Sequence, residues 1–534
     1  MATAYVLVNI DGQALYDFSP GAVLEQVDVT QEINQHWTCF VQCRQTEDQR
    51  FPIEDSLGKD LQVIAVADDG TQTYLFNGFL LDVELEYEIF GSYVARLSGV
   101  TKTYHMDVAP RQNYYDYGTN TLENIAKKTT EVAGLTANIA TTRFPAAYEY
   151  PVPAVQWGET DYRFLIRLAD HLLVWLVPNA QDGTTVDLLD NFGSGPTLGW
   201  RAEDQLLSFR LRGKLASAAN DGAHYNPLKA LSQVFTDVKG EYEFLSGAAD
   251  MVAKVKDQSL AVHKNGYITD RREMTELEYY KVLLAKEVNR AIQSSAIGQG
   301  VSLDPTVAAG KKVTIQGLTN AEGDYGVTKV LHQWTPNGYT NQFWCMASSE
   351  YRDPTPPPKK QWYGVVIGRV VDNNDPQKLG RIQLQYFWQE QNQTSWARMM
   401  MPHTGSQRGI YFMPEVGDEV VVAFEDGDPE RPIVLGCLWN ATDTPPTEDY
   451  WGGEYANNDV KRIMTKSGHR IQLVDKQGKE SISIATPTHL KIAMVESSDE
   501  NGRPTMTLHS DGDIILSATG RIHLKSAFFS REVG

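Results

Sequence analysis

Ser481-Ile-Ser-Ile-Ala485, Leu490-Lys-Ile492, Met506-Thr-Leu508, Ile514-Ile-Leu516 and Ile522-His-Leu524 repeat one small pattern, two apolar residues two positions apart. The pairs begin at 482, 490, 506, 514 and 522, so their spacings are multiples of eight. The missing step falls at Ser498/Glu500, inside the polar run Ser497-Ser-Asp-Glu-Asn-Gly502, which reads as an outward loop that keeps the register. Residues two apart share one face of a strand. Ile482, Ile484, Leu490, Ile492, Met506, Leu508, Ile514, Leu516, Ile522 and Leu524 are therefore the predicted core of a ladder of short strands. Turns at Gly478, Gly512 and Gly520 join them into a β-solenoid or β-prism. No helical pattern in this region could cover the apolar side, and rungs of eight residues are too narrow to enclose a core alone. The face must meet copies of itself, and closed symmetric association is the economical solution.

Upstream of this tail, two composition breaks divide the chain. Ala441-Thr-Asp-Thr-Pro-Pro-Thr-Glu448 is the weaker one, and Asp353-Pro-Thr-Pro-Pro-Pro-Lys-Lys360 reads as a stiff polyproline connector. Asp69-Gly70, Asp182-Gly183, Asn265-Gly266, Asn337-Gly338 and Asp426-Gly427 mark turns between alternating runs, so the protein is mainly β. Helical spacing interrupts at Thr121 to Ala133, Asp161 to Val174 and Thr275 to about Ser294.

Composition narrows the function. The chain has 534 residues, with 48 Lys and Arg against 68 Asp and Glu, a net charge of −20. That balance argues against a nucleic-acid backbone or an anionic membrane surface as the main partner. The acidity is confined to residues 1–450, with 37 basic against 58 acidic residues, whereas 451–534 carries 11 against 10. The first residues lack a basic signal-peptide region, and no apolar run approaches the roughly 20 residues of a membrane span. The expectation is a protein made in the cytoplasm without a Sec signal or transmembrane segment.

Four cysteines suit a reduced compartment. Cys39 and Cys43 share one strand face about 13 Å apart, too far for a disulfide. His36 falls on the opposite face, which favours core cysteines over a His36/Cys39/Cys43 metal site.

The middle module carries the most specific pattern. Gly364-Val-Val-Ile-Gly-Arg-Val-Val-Asp-Asn-Asn-Asp-Pro376 leads to Leu379-Gly-Arg-Ile-Gln-Leu384. Then come Trp396-Ala-Arg398, Met413-Pro-Glu-Val-Gly-Asp-Glu-Val-Val-Val-Ala-Phe424 and Gly427-Asp-Pro-Glu-Arg-Pro-Ile-Val-Leu-Gly436. The alternation after Val416 builds a barrel strand, and Gly427-Asp428-Pro429 a tight turn. In this order the segments resemble the OB-fold module of the VgrG family and of phage baseplate spikes, with Gly380, Arg381, Pro414, Gly417, Gly427, Asp428, Pro429 and Gly436 as its structural motif. Arg369, Arg381 and Arg398 are scattered among acids, unlike a nucleic-acid groove. Upstream, Gln156-Trp-Gly-Glu-Thr-Asp-Tyr-Arg-Phe-Leu-Ile-Arg-Leu-Ala169, Leu57-Gly-Lys-Asp-Leu61 and Phe76-Asn-Gly-Phe79 are similar to the family's hub, whereas Tyr104-His-Met-Asp107 departs from it.

The resemblance implies a mainly β chain with an α/β hub. Residues 1–353 would form a phage-hub-like double barrel with packing helices, followed by the connector at 354–362, the OB-fold at 363–442 and a linker at 443–460. Residues 461–534 would form a trimeric β-prism, or triple-stranded β-helix. It further implies a homotrimer that joins an Hcp-like hexameric tube, baseplate proteins and a PAAR-type tip, touches a target membrane transiently, and leaves the cell by sheath contraction. The system could be type VI secretion, an extracellular injection particle or a phage-like tail. A trimeric tail protein with carbohydrate-binding or cell-wall-degrading activity is the alternative.

Enzyme signatures are missing: no His-Glu-x-x-His, no Gly-x-Ser-x-Gly and no phosphate loop occurs. No catalytic residue, cofactor or metal is expected, although His469 shares parity with Ile471 and three copies could hold an ion on the threefold axis. Phe528 and Phe529, after the last octad, are the candidate seat for a tip protein, or else a cap on the last rung.

Overall fold

The computed structural model describes residues 3–525 apart from 47–50, 89–90, 117–118, 143–146, 148–149, 151–152, 201–204, 217–218, 227–229, 240–242, 263–265, 271–276, 390–393, 395, 447–457, 497–501 and 524. The chain forms two compact units, Met1–Leu438 and Trp439–Gly534.

In the first unit, alternating strands assemble one sheet of 13 strands. Its N-terminal half contains Val23–Glu32, Thr38–Thr46, Ser92–Val100, Gln72–Tyr87, Asp60–Ala67 and Thr3–Ile10, each hydrogen-bonded to the next. The C-terminal half runs through Leu206–Gly213, Ala296–Ser302, Gly338–Met346 and Gly323–Thr335. The halves join where Glu32 pairs with Lys329 and Val27 with Trp334. Each half covers its own apolar core, one around Val41, Phe76 and Trp175, the other around Tyr325, Phe343 and Val313. Among the described residues the strands of these two halves run on as a single sheet, the hub holds three smaller sheets of two or three strands besides, and the closed barrel lies further along, at 365–438. Gly78, in the Phe76-Asn-Gly-Phe79 stretch, has a local cause: a Cβ there would overlap the Val100 carbonyl oxygen.

The three helices read from periodicity appear as Leu122–Glu131, Asp161–His171 and Leu277–Gln293. Thr121 and Thr160 cap the first two by accepting from the backbone N–H of Asn124 and Arg163. A fourth helix, Ala249–Val262, escaped the sequence reading because its apolar residues encircle it instead of forming one stripe. His36 lies away from the cysteines. It faces Thr103 Oγ1 at 2.9 Å and Asp107 at 3.4 Å, with Tyr162 against its ring. The divergent Tyr104-His-Met-Asp107 stretch is thus a 3-10 turn that ties the sheet to the helix at Asp161.

Cys39, Cys43 and Cys345 are buried and free, whereas Cys437 is exposed. Burial pushes the Cys43 thiol up to about 12 and those of Cys39 and Cys345 higher still. A disulfide-exchange reagent at pH 8 should therefore titrate one thiol per native chain rapidly and four after denaturation. A second fast thiol would contradict this packing.

The second unit is a meander of five antiparallel strands, Val460–Met464, Arg470–Val474, Ser481–Ala485, Leu490–Val495 and Thr505–Ser510. Its register lines up Ile463, Ile471, Ile484, Ile492 and Leu508 in one row. Leu473, Ile482, Met494 and Met506 form a second row on the same face. Each hairpin reverses the chain, so Ile482 meets Met494, and Leu490 faces Ser510. Ile514, Leu516 and Ile522 lie exposed outside any strand, while Leu524, Phe528 and Phe529 fall outside the described residues. His469 sits exposed at the Thr465 turn, its backbone N–H donating to Thr465 Oγ1. His489 and His509 also face outward, each against a different oxygen of Asp511.

Candidate functional site

The barrel Val365–Asp372, Arg381–Tyr386, Ala397–Met399, Pro432–Leu438 and Glu419–Phe424 closes around Val370, Ile382, Leu384, Val420, Val422 and Val434. Its turns explain the motif residues. Gly380 and Gly427 adopt φ of +71° and +73°, where a side chain would be strained. The Gly427 carbonyl also accepts from Trp362 N–H at 2.7 Å. Gly417 N–H donates to the Val370 carbonyl, and the Pro414 carbonyl accepts from Asn373 Nδ2. Gly436 stands at the bulge where the register shifts between Val421 and Val422.

Arg381 earns its place through Asp375, which the sequence reading quoted without a role. The Asp375 carboxylate accepts from Arg381 Nη2 at 2.8 Å and Nε at 3.1 Å, and from the backbone N–H of Gln377, Leu379 and Arg381. Desolvation pushes its pKa up, but these donors outweigh it and hold the carboxyl at about 2. Because the folded pKa is depressed, the stabilisation is complete above the unfolded carboxyl pKa near 4 and is lost as pH falls toward 2. It is worth about 2 kcal/mol. Asp375→Asn should lower barrel stability by at least that amount at pH 6 in denaturant titration, and the gap from wild type should shrink at pH 2.5. An equal gap at both pH values would contradict the assignment.

The most concentrated polar chemistry lies where this barrel meets the hub. Strand Ala154–Thr160 and helix Asp161–His171 bring together Glu159 and Arg167, eight residues apart. Arg167 reaches Glu159 at 2.5 and 3.1 Å and donates to the Val155 carbonyl at 2.9 Å. Glu430, from the barrel turn after Pro429, lies 3.9 Å from the same guanidinium and 3.4 Å from Val155 N–H. Lys359 of the connector completes the group, at 2.5 Å from Glu430 and 2.6 Å from Asp428. Glu159, Arg167 and Glu430 side chains are all under 9% exposed. Beside them the hub's Trp157 packs edge-on against Trp362, Trp388 and Phe424. Gln156 donates to buried Asp161, which Arg111 also neutralises at 3.1 Å. The Gln156 to Ala169 stretch therefore forms the joint between hub and barrel. The connector read as a spacer is clasped to both. Phe528 and Phe529 lie outside the described residues.

This arrangement binds and positions. Among the described residues no group of three or more His, Cys, Asp or Glu side chains is placed to hold a metal ion, and no helix is long and apolar enough to cross a membrane.

Residues 366–439 match the family model for the type VI secretion system/phage-baseplate injector OB domain. The type VI secretion system spike protein VgrG1a of Pseudomonas aeruginosa is 23% identical over 82% of this chain and 71% of its own length. The actin cross-linking toxin VgrG1 of Vibrio cholerae is 26% identical over 42% of this chain, which spans only 24% of that toxin. Two solved structures share the fold. One is the E. coli c3393 type VI secretion component, described as similar to the T4 phage tail proteins gp27 and gp5, with TM-score 0.52 and 15% identity over 81% of this chain and 99% of that one. The other is a chain of a Francisella PdpA-VgrG complex, with TM-score 0.60 and 9% identity over 95% of this chain and 80% of that one. An injector OB module preceded by this hub and followed by this strand ladder makes the chain similar to the VgrG-family spike proteins.

Proposed function

We propose that the chain is the central structural spike and hub of a contractile injection apparatus and works as a homotrimer. The observation that carries this reading is the two-row apolar face of the second unit. Ile471, Leu473, Ile482, Ile484 and Ile492 are each about 40–50% exposed in one chain, far above the buried hub core. Three such faces turned inward would bury one another and leave the polar sides to solvent. The resulting prism would be stiff because every rung adds backbone hydrogen bonds around an Ile/Leu/Met core.

The hub would meet an Hcp-like hexameric tube, with baseplate proteins at its flanks. A PAAR-type tip would sit on the far end of the prism, with Phe528 and Phe529 as its seat. The needle segment 451–534, with 11 basic and 10 acidic residues, would approach an anionic target membrane without long-range repulsion. Nucleic acid has no place in this scheme, and the role is mechanical, not enzymatic. The subunit would be assembled in the cytoplasm and leave the cell when the sheath contracts.

The test is reconstitution with an Hcp-like tube protein. Electron microscopy should show rings stacked on the hub of the trimer. Particles with no ring, or clearing of a peptidoglycan zymogram by the purified protein, would overturn the reading.

A further inference from the structure

We infer that Lys359, Glu430 and Arg167 turn the proline-rich connector into a strut that makes hub and OB-fold one stiff body. This rests on the spike reading for its purpose, and on the geometry of the joint for its substance.

The connector is pinned at both ends. At its start, Arg352 is buried and meets Asp170 of the hub helix at 2.6 Å, and the Asp353 carboxylate accepts from Thr355 N–H at 2.9 Å. At its end, Trp362 N–H donates to the Gly427 carbonyl, and Lys359 grips Asp428 and Glu430. Between these anchors, Pro354, Pro356, Pro357 and Pro358 fix φ near −65° and remove most of the backbone freedom. A short segment held at both ends and stiff in the middle cannot act as a flexible tether.

Glu430 is the shared element. It belongs to the barrel, yet its carboxylate faces a hub cation, Arg167, and a connector cation, Lys359, with the hub's Val155 N–H as a third donor. A buried carboxylate in this position favours one relative placement of the three parts, because any rotation strips it of a partner in a low-dielectric site. The Trp157, Trp362, Trp388 and Phe424 cluster adds contact area but little directional preference. The polar relay therefore supplies the orientation and the aromatic cluster the adhesion. In a spike, such a joint would pass an axial push from hub to OB-fold without bending.

The test measures a spin-label distance distribution in the full chain, diluted with unlabelled copies. One label sits on the native exposed Cys437 of the barrel and the other on Glu131→Cys at the exposed end of helix Leu122–Glu131. Wild type should give one narrow peak. Glu430→Gln keeps the shape and removes the charge, and Lys359→Met removes the connector's grip while Arg167 stays paired. Each should at least double the peak width without changing the oligomer mass or the near-ultraviolet circular dichroism. Unchanged widths in both variants would overturn the inference, as would a broad or double peak in wild type. Mass measured on the same samples keeps the two ideas apart, since loss of the trimer in wild type would strike the spike reading alone.

Discussion

Ile484→Asp should turn the trimer into a monomer while leaving the hub and OB-fold intact. Ile484 lies mid-row between Ile471 and Ile492 and is 49% exposed in a single chain. A carboxylate there costs the isolated subunit little because water already reaches the position. In the trimer the same substitution would bring three carboxylates together inside an apolar prism. Each uncompensated buried charge costs about 3–5 kcal/mol, so association should weaken by at least about 10³. Ile515→Asp is the matched control. Ile515 is 83% exposed and has the opposite parity to Ile514 and Leu516, so its substitution should leave the trimer unchanged. Sedimentation velocity of both variants reads the difference, and a trimeric Ile484→Asp would show that this face is not the one that associates.

The second large effect is expected at the joint. Arg167→Met removes the guanidinium that lies against Glu159 and Glu430, leaving a buried carboxylate at Glu159 with no cation and the Val155 carbonyl without its side-chain donor. Breaking a buried pair from one side costs about 3–5 kcal/mol, a large share of the stability of an ordinary domain. Calorimetry should show the hub and OB-fold transition shifted down or split in two. Arg163→Met, four residues earlier and largely exposed, should cost under about 1 kcal/mol. Equal effects from the two substitutions would mean that burial at the joint is not what gives Arg167 its weight.

What could be read from the sequence was whatever is local. Gly380 and Gly427 announce left-handed turns, Thr160 followed by Asp161 announces a helix start, and alternation in Val416 to Phe424 announces a barrel strand, because each depends only on neighbouring dihedrals or faces. The apolar face of the tail strands was legible for the same reason. Its register was not, since octad spacing is compatible with both direct stacking and hairpin reversal, and only the turns decide between them. Glu430 had to be missed: its hub partners lie across the chain, with Val155 275 positions away, and no spacing rule links them. Lys359 was quoted only as part of a proline-rich connector, though it closes the joint. Asp375 was visible as a residue but not as a clamp, because its value comes from three backbone donors that converge only when the loop folds. The helix Ala249–Val262 stayed hidden because its apolar residues form no stripe.

The account stands on the claim that copies of the chain cover the apolar face of the second unit. Light scattering of the purified full chain, coupled to size exclusion, tests it directly. The expected mass is three times 59.7 kDa, falling to one chain when the protein is shortened to end at Leu438. A single species near 59.7 kDa for the full chain at every concentration tried would contradict it.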